Sequence, residues 1–572
     1  MKAGWQGYGA VSIGISALAI AAGWAGAAPD RKAEAAAPKS CNAGTGITLP
    51  RGFCATVFAD NIGHARHMAM APDGTLYVND WSGQYFQGAP KAPAGGFIVA
   101  LRDTDKDGKA DKIVRLGQTD AEGATGGSGI ALYKGFLYAE EGSRILRYPL
   151  KPDGMALGEP ETVVSGLPTD GNHNMHPFVI DPKGQLFMDS GSATNACQAK
   201  DRQPGVPGVM PCTELLTRGG TWRFDANQTG QVFSASSRYA TGIRNGEGLA
   251  FDAAGRLFVT QHGRDQLSQN WPKFYTAKQG EELPAEQFVE LRAGGDYGWP
   301  YCYYDQFQKK LMLAPEYGGD GKKVGLCAGK TPPVAAFPGH WAPNDLLFYN
   351  GKMFPAAYRG GAFIAFHGSW NRAPAPQQGY NIVFQPMANG KAAGAYTVFA
   401  DGFAGARKDP GGAMYRPGGL AMGPDGALYI ADDVRGRIWK VTYSGPTGAK
   451  VMAAPKPVFA SSASSAPAVA ATIPPGSSAA QVAAGDTLFH NSTCAGCHGP
   501  DGKGGPIGPS LASGQWQWGD GSVAAIRRTI VAGVPKPKHF SGAMPPMGGA
   551  ELKPADIGAL AAYVWTLSHT GK

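Results

Sequence analysis

A five-residue motif near the C-terminus, Cys494-Ala495-Gly496-Cys497-His498, has the residue types and spacing of a covalent haem attachment site. Cys494 and Cys497 would form thioethers to the haem vinyl groups, and His498 would become an axial iron ligand. A thioredoxin-like dithiol would follow a strand of a βαβ unit, and a zinc site needs two more ligands at matched spacing. Neither pattern surrounds the motif, so we predict haem c.

A second iron ligand is expected further along the chain, where segment 542–547 contains two methionines. Met544 is the predicted thioether ligand, and Met547 is the alternative. A histidine–methionine pair raises the reduction potential of haem, which suits an electron acceptor. For either methionine alone, packing into an irregular gap is the competing interpretation.

Four polar clusters in the first 450 residues exceed what strand packing requires. They occupy positions 172–174, 244–248, 367–372 and 416–419. If the fold brings them together, one end of it holds three arginines together with asparagine and histidine side chains. Because a guanidinium bonds a carboxylate in two places, convergent arginines predict a ligand with several carboxylates. A single arginine among them would more often be solvated or cap a strand.

An irregular repeat must position these clusters. Its unit is a turn ending in glycine followed by an apolar strand pattern, and its copies lie at 72–78, 133–138, 182–187, 254–259, 349–354 and 424–430. Each copy is typical of a hairpin between short strands. Six such hairpins predict a mainly β fold, a six-bladed β-propeller, rather than a β-sandwich or two stacked domains.

The chain divides into four predicted segments: a signal peptide at 1–28, the propeller at 29–450, a linker at 451–480 and a small all-α cytochrome c domain at 481–572. The linker is rich in Ala, Ser, Pro and Val and buries little. Helices are predicted from Gln481 to His490 and from Ala555 to Leu567. Pro554 opens the last helix, in which apolar residues recur at a spacing close to 3.6.

The N-terminus and the cysteines both indicate an exported protein. An apolar, small-residue stretch after Lys2 and a small-residue cleavage site predict secretion, and haem c attachment then indicates a bacterial periplasm. Six of the eight cysteines remain after haem attachment. Pairing between sequence neighbours is the simplest of 15 connectivities, with free buried thiols as the alternative. It gives Cys41–Cys54, Cys197–Cys212 and Cys302–Cys327.

The net charge of +8 comes without any run of basic residues. Together with export, this argues against nucleic-acid binding and favours an anionic ligand or an acidic redox partner.

Five short segments of the first region carry a resemblance to a known family. They are Gly171-Asn172-His173, Gly242-Ile243-Arg244-Asn245, His262-Gly263-Arg264-Asp265, Gly295-Asp296-Tyr297-Gly298-Trp299-Pro300 and His367-Gly368-Ser369-Trp370-Asn371-Arg372. Over approximately residues 50–445 the chain resembles the soluble pyrroloquinoline quinone (PQQ)-dependent glucose/sorbosone dehydrogenases. The resemblance implies a six-bladed propeller with PQQ and calcium at the channel mouth. The C-terminal region resembles class I c-type cytochromes.

The resemblance also implies roles for individual residues. His173 matches the catalytic base, and the remaining matches concern the cofactors. Arg244 and Asn245 would flank cofactor and sugar, Arg372 and Arg416 would grip PQQ, Arg66 would be a further cofactor contact, and Gly263 and Arg264 would offer backbone carbonyls to calcium. The chain departs from glucose-oxidising members at Asn172, where they have Asp, and at Gly418, where they have a second arginine.

The implied activity is a two-electron oxidation of an aldose or sugar aldehyde to a lactone or acid. His173 would act as general base, and the electrons would pass singly from PQQ to haem c and on to a downstream periplasmic or membrane acceptor. Two alternatives remain. One is a calcium-dependent lactonase, which would have no electrons to deliver. The other is a sugar-binding propeller with a tethered cytochrome.

Overall fold

The computed structural model describes residues 42, 44–80, 95–117, 126–372, 375–408, 410, 412–457, 472–491, 494–499, 502–504, 508–539, 544, 546–549 and 552–569. The predicted signal peptide, Cys41 and much of the linker lie outside the described residues. Among those described, no helix is both long enough and apolar enough to cross a bilayer.

The chain forms six blades of four antiparallel strands each, to which the second blade adds a short parallel fifth strand. The first strand of the chain, β1 (Phe53–Ala59), belongs to the sixth blade. The first blade contains β2 (Ala65–Met70), β3 (Leu76–Asp80), β4 (Ile98–Arg102) and β5 (Lys112–Leu116). The second contains β6 (Ile130–Tyr133), β7 (Phe136–Glu141), β8 (Arg144–Pro149) and β9 (Glu161–Ser165). The third contains β10 (Phe178–Ile180), β11 (Gln185–Ser190), β12 (Gly220–Asp225) and β14 (Arg238–Thr241). The short strand between the last two, β13 (Gln231–Val232), pairs with β9 and so extends the second blade.

The fourth blade carries the longest helical insertion. It contains β15 (Gly246–Phe251), β16 (Leu257–Gln261), then helices α1 (Leu267–Asn270) and α2 (Ala277–Glu282), β17 (Glu286–Leu291), a hairpin of β18 (Cys302–Asp305) and β19 (Lys310–Leu313), and β20 (Ala335–Phe337). The fifth contains β21 (Pro343–Phe348), β22 (Ala362–Phe366), β23 (Asn381–Gln385), a hairpin of β24 (Met387–Ala388) and β25 (Lys391–Ala392), and β26 (Thr397–Ala400).

The sixth blade closes the ring with strands from both ends of the propeller. It contains β27 (Pro417–Met422), β28 (Leu428–Asp432) and β29 (Ile438–Tyr443), and β1 pairs antiparallel with β29. The second strands β3, β16, β22 and β28 are buried along their whole length. Because both faces of such a strand pack against neighbouring blades, these strands begin with consecutive apolar residues, and in β3, β16 and β28 only the last one or two residues are polar. The predicted six-bladed propeller is therefore confirmed.

Five of the six predicted turn-and-strand copies are the turns between the first two strands of a blade. The copy at 349–354 was wrong, because the second strand of that blade begins only at Ala362. Tyr349 and Phe354 stack on each other with ring centroids 4.5 Å apart, and both are buried in the core between blades. Burial of these two rings holds the segment as an aromatic loop instead of a strand.

The C-terminal region is helical, with α3 (Ala479–Asn491), α4 (Cys494–His498), α5 (Val523–Ala532) and α6 (Pro554–Leu567). Both predicted helices are confirmed, and Pro554 stands in the first turn of α6. A Cβ added at Gly485 would lie 2.0 Å from the Ala559 carbonyl oxygen, so this glycine lets α3 and α6 cross closely. The disulfides Cys197–Cys212 and Cys302–Cys327 are confirmed.

Candidate functional site

One end of the propeller collects most of the polar clusters. In each blade the first two strands form an antiparallel hairpin, so the start of the first strand lies beside the end of the second. Gly246 pairs with Gln261, for example, and Pro417 pairs with Asp432. The clusters before β10, β15 and β27 and after β16, β22 and β28 therefore share that end. Sequence spacing alone predicted this convergence.

His173 is buried on the loop before β10. Its Nδ1 lies 2.9 Å from the Ser192 carbonyl oxygen. Because a carbonyl only accepts, Nδ1 carries the proton and Nε2 is the basic nitrogen. A Cβ added at Gly191 would lie 2.5 Å from His173 Cβ and 2.9 Å from Asn245 Oδ1, so this glycine brings His173 and Asn245 together.

The imidazole of His173 is held in its neutral form. Burial lowers its pKa well below the ordinary value of 6.5, and the positive charge of Arg244 lowers that pKa further. A neutral imidazole with a fixed tautomer can accept a proton at neutral pH, which is the property that a general base requires.

Arg244 and Asp265 form the first charged cluster near His173. Arg244 donates through Nη2 to Asp265 Oδ2 at 2.9 Å and through Nη1 to the Gly263 carbonyl at 2.9 Å. The same Asp265 oxygen accepts from Arg202 Nη2 at 2.9 Å. Burial alone would raise the pKa of Asp265, but the charges of Arg244 and Arg202 hold that pKa well below its usual range. Asp265 is therefore an anion shared by two cations.

Arg66, Asp433 and His367 form the second charged cluster. Arg66 donates through Nη1 to Asp433 Oδ2 at 2.6 Å, and His367 donates through Nε2 to Asp433 Oδ1 at 2.8 Å. Burial followed by the charge of Arg416 lowers the pKa of His367 to about 4, so the ring is neutral at pH 7. Burial, followed by the charge of Arg244, lowers the pKa of the neighbouring His262 to about 3, so this ring is also neutral at pH 7.

Arg416 and Gly418 leave an opening at the second cluster. The guanidinium of Arg416 donates to the carbonyls of His367 at 3.2 Å and Gly368 at 2.6 Å. A Cβ added at Gly418 would remain 3.9 Å or more from Asp433, His367 and Arg66, so there is room beside these groups. A half-buried guanidinium next to such room fits one carboxylate of a flat anionic ligand.

Arg372 takes a different direction from the other predicted arginines. It donates to the Glu281 carbonyl at 2.7 Å and to the Glu282 carboxylate at 2.7 Å, both at the end of α2. Its neighbour Asn371 instead donates to Asp265 Oδ1 at 2.8 Å and so joins the first cluster. The structure thus brings Arg66, Arg244, Arg416 and His173 to one end, while the Arg372 side chain braces α2.

The loop after β16 binds an arginine side chain at the position where calcium was predicted. The Gly263 carbonyl, a predicted calcium ligand, accepts from Arg244, and the Gly263 amide donates to Glu286 at 2.8 Å. The neighbouring Arg264 side chain binds Glu316. A divalent cation on this carbonyl would meet the positive charge of Arg244 at close range. The residues present therefore do not fit calcium at Gly263 in this arrangement.

The carboxylates of both clusters were absent from the sequence-based prediction. Asp265 directly follows the predicted pair Gly263 and Arg264, and Asp433 directly follows β28. The sequence could have indicated that such carboxylates exist, because a buried arginine requires a buried anion. Which anion serves which arginine could not be read from the order of residues.

The haem attachment motif borders a large crevice of about 1160 Å³, counted out to its open mouth. Cys494 and Cys497 both lie at its wall. His498 donates through Nδ1 to the Pro509 carbonyl at 2.9 Å, which leaves Nε2 for an iron atom. Most of the remaining wall is apolar, formed by Phe489, Leu511, Trp516, Ile526, Ile530, Leu560 and Val564. The donor set and the apolar lining fit haem c.

Met544 lines the same crevice as His498. It exchanges two backbone hydrogen bonds with Val534, of 2.7 Å and 3.1 Å, which fix its position at the wall. Both methionines pack against the core of the helical region, but Met547 does not line the crevice. Among the described residues, this placement favours Met544 as the thioether opposite His498.

Comparison with known proteins identifies both regions. A family profile described as TrAA12-like matches residues 47–444, and one described as cytochrome c matches residues 482–568. A pyrroloquinoline quinone-dependent pyranose dehydrogenase of Coprinopsis cinerea is 27% identical over 247 residues, which are 36% of this chain and 31% of that protein. The cbb3-type cytochrome c oxidase subunit FixP of Rhizobium etli is 38% identical over 92 residues, 16% of this chain and 31% of that protein.

A solved structure shares the propeller fold. The iodide structure of a Trichoderma reesei carbohydrate-active enzyme of family AA12 superposes with a TM-score of 0.56 at 18% identity, covering 70% of this chain and 98% of that one. The chain spans about half or less of the length of the curated relatives that it matches.

Proposed function

We propose, because the chain belongs to the TrAA12-like family and continues into a cytochrome c domain, that it oxidises a sugar at the propeller and delivers the electrons through haem c. The resemblance to PQQ-dependent dehydrogenases is confirmed by this membership. The proposed substrate is an aldose or sugar aldehyde of the glucose or sorbosone type, and the product is a lactone or an acid. A pyranose dehydrogenase among the relatives supports this substrate class.

PQQ, when bound, supplies a two-electron quinone acceptor. Arg416 and the room beside Gly418 would hold one of its carboxylates, and Arg66 lies next to that room. Arg244 places a positive charge next to His173, where it would stabilise negative charge that develops during oxidation. Arg372 contributes to this arrangement through the position of α2 rather than by direct contact.

His173 would take the proton of the substrate hydroxyl at Nε2. The Ser192 carbonyl fixes the tautomer, and Gly191 allows the imidazole to approach Asn245. Asn245 would donate to or accept from a sugar hydroxyl at this point. Deprotonation raises the electron density on the substrate carbon, which favours loss of its hydrogen to an acceptor.

The haem domain would receive the electrons one at a time. Cys494 and Cys497 would hold the haem covalently, with His498 and Met544 on the iron. Export to a periplasm and a downstream acceptor, soluble or in the membrane, complete the proposal. The proposed boundaries remain 1–28, 29–450, 451–480 and 481–572.

The observation that carries the proposal is the neutral, tautomer-fixed His173 beside Arg244 in a chain that also has a haem crevice. A lactonase would not need a haem crevice, and a sugar-binding propeller would not need a buried general base.

A substrate panel on the full-length protein loaded with PQQ tests the function. Aldoses and sugar aldehydes are added under anaerobic conditions, and absorption of reduced haem is followed with and without added calcium. Haem reduction by at least one sugar, dependent on PQQ, is the expected result. Lactone hydrolysis without haem reduction would establish the lactonase instead. Sugar binding in calorimetry without either reaction would leave a binding protein.

A further inference from the structure

The haem crevice has one wall residue from the propeller, Gln266, among the described residues. Gln266 lies in the insertion of the fourth blade, directly after Asp265, in the left-handed backbone region with φ 58° and ψ 37°. It is buried, and its Oε1 accepts from Arg202 Nη1 at 3.3 Å. Gln266 therefore contacts the crevice on one side and a buried guanidinium on the other.

Arg202 brings a positive charge to the haem attachment site. Arg202 donates through Nη1 to Gln266 Oε1 at 3.3 Å, so one side chain separates its guanidinium from the crevice. Arg202 is buried, and Asp265 binds it at 2.9 Å. The Asp201 carboxylate lies 3.6 Å from Arg202 Nε, so Asp201 and Asp265 together balance Arg202 and Arg244, and Arg202 is the member of this group that hydrogen-bonds to the crevice residue Gln266.

A charge interaction also links the two regions at a second place. The pKa of Asp486 on α3 is lowered, first by a hydrogen bond from His490 and further by the charge of Arg407 in the propeller. Arg407 lies between β26 and β27, whereas Gln266 lies after β16.

We propose that Arg202 and Gln266 form the propeller's share of the haem pocket and that the Arg202 guanidinium raises the reduction potential of the haem. A buried cation beside the haem favours the reduced state, which carries one positive charge fewer, and low polarity around the pair strengthens this effect. Arg202 is thus a tuning residue that acts across the boundary between the two regions. The proposal rests on the haem c of the proposed function and is independent of the substrate.

The test measures the haem midpoint potential of the full-length, haem-loaded protein without quinone or sugar. Gln266→Glu places a carboxylate against Arg202 and should lower the potential. Arg202→Gln should lower it as well, and Arg202→Lys should retain most of the wild-type value. Gln228→Glu adds the same charge in an exposed turn of the third blade and should leave the potential unchanged.

Equal potentials for Gln266→Glu and Gln228→Glu would overturn the proposal. Gln266→Glu also serves if Arg202→Gln fails to fold, because it adds a partner for Arg202 instead of removing one. The outcomes separate from those of the sugar panel. A shifted potential without sugar-dependent reduction refutes only the proposed function, and sugar-dependent reduction without a shift refutes only the role of Arg202.

Discussion

The propeller mouth, which is the end that holds His173, Arg66, Arg244 and Arg416, differs from the haem crevice in how it buries polar groups. The mouth contains buried charges, each matched by a partner: Arg66 with Asp433, Arg244 with Asp265. The crevice is a large apolar space with a few donor atoms at its wall. A charge buried without a partner is costly, whereas an apolar space gains stability when a large flat ring fills it.

This difference explains why the two sites respond differently to change. Apart from Gln266, the crevice is assembled from residues between Phe489 and Val564, and a covalent bond would secure its ligand. The mouth is assembled from loops of separate blades, and its geometry depends on ion pairs across the ring. Loss of one donor should therefore empty the crevice, whereas loss of one carboxylate should destabilise the whole propeller.

The largest expected effect comes from Cys494→Ser together with Cys497→Ser. Without thioethers, haem should be absent from the protein after denaturing electrophoresis, as read by haem staining and mass. The matched control, Cys197→Ser with Cys212→Ser, removes a disulfide of the propeller and should retain the haem. Covalent haem in the first variant would contradict the attachment site.

The next largest effect is expected from His173→Ala. Loss of the base should slow sugar-dependent haem reduction by about 10²–10⁴-fold, while PQQ binding, measured by equilibrium dialysis, stays close to wild type. Asn174→Ala alters the same loop without touching the base and should keep most of the rate. A rate unchanged in His173→Ala would remove the residue from the mechanism.

Asp433→Asn tests the ion pairs of the mouth. Arg66 would lose its closest anion in a buried position, which should cost about 3–5 kcal/mol of unfolding free energy. Denaturant unfolding followed by tryptophan fluorescence measures it, while haem absorption reports separately on the crevice.

The control for this change is Asp60→Asn, which breaks the partly exposed pair with Arg437 and should cost about 0–1 kcal/mol. An equal loss of unfolding free energy in the two variants would mean that the Arg66–Asp433 pair contributes no more to stability than a surface pair does.

The pH dependence of haem reduction should reflect the lowered pKa of His173. The base is lost only as the pH falls through the folded pKa, so the rate should stay level from pH 8 to pH 6.5 and decline well below 6.5. Burial also raises the pKa of Asp432 to about 7, next to Arg416, and Asp432→Asn would remove any inflection from that group. A decline of the rate centred at pH 6.5, in both the wild type and Asp432→Asn, would indicate that the base is exposed to solvent.

The smallest effect is expected from Arg407→Glu, which reverses an exposed charge facing α3. Surface ion pairs contribute about 0–1 kcal/mol, so haem reduction within the chain should slow by less than about fivefold. The difference should vanish at high salt. Arg407→Glu with Asp486→Arg should restore the rate, and a double variant slower than the single one would contradict the contact.

Much of the fold could be predicted because its signals are local. Glycine turns such as Asp73-Gly74 and the spacing of apolar residues in α6 act over a few residues, and both predictions are confirmed. The error at 349–354 arose because Tyr349 and Phe354 are buried by distant blades. Local pattern cannot reveal such burial.

The charged mouth could be predicted only in part. The arginines were identified by type, but Arg66 and Asp433 stand 367 positions apart, and no spacing rule connects them. Arg372 belongs to the cluster at 367–372, yet its side chain binds α2 instead of joining the other arginines. Its direction depends on an insertion whose path was not readable from sequence.

The sequence by itself determined the haem attachment site, the hairpin turns and the terminal helix, because each depends on groups within a few residues of one another. Tertiary structure decided which carboxylate neutralises each arginine, why the imidazole of His173 is neutral, and that Gln266 lines the haem crevice. These depend on burial and on distances across the ring, and both arise only when separate blades pack together.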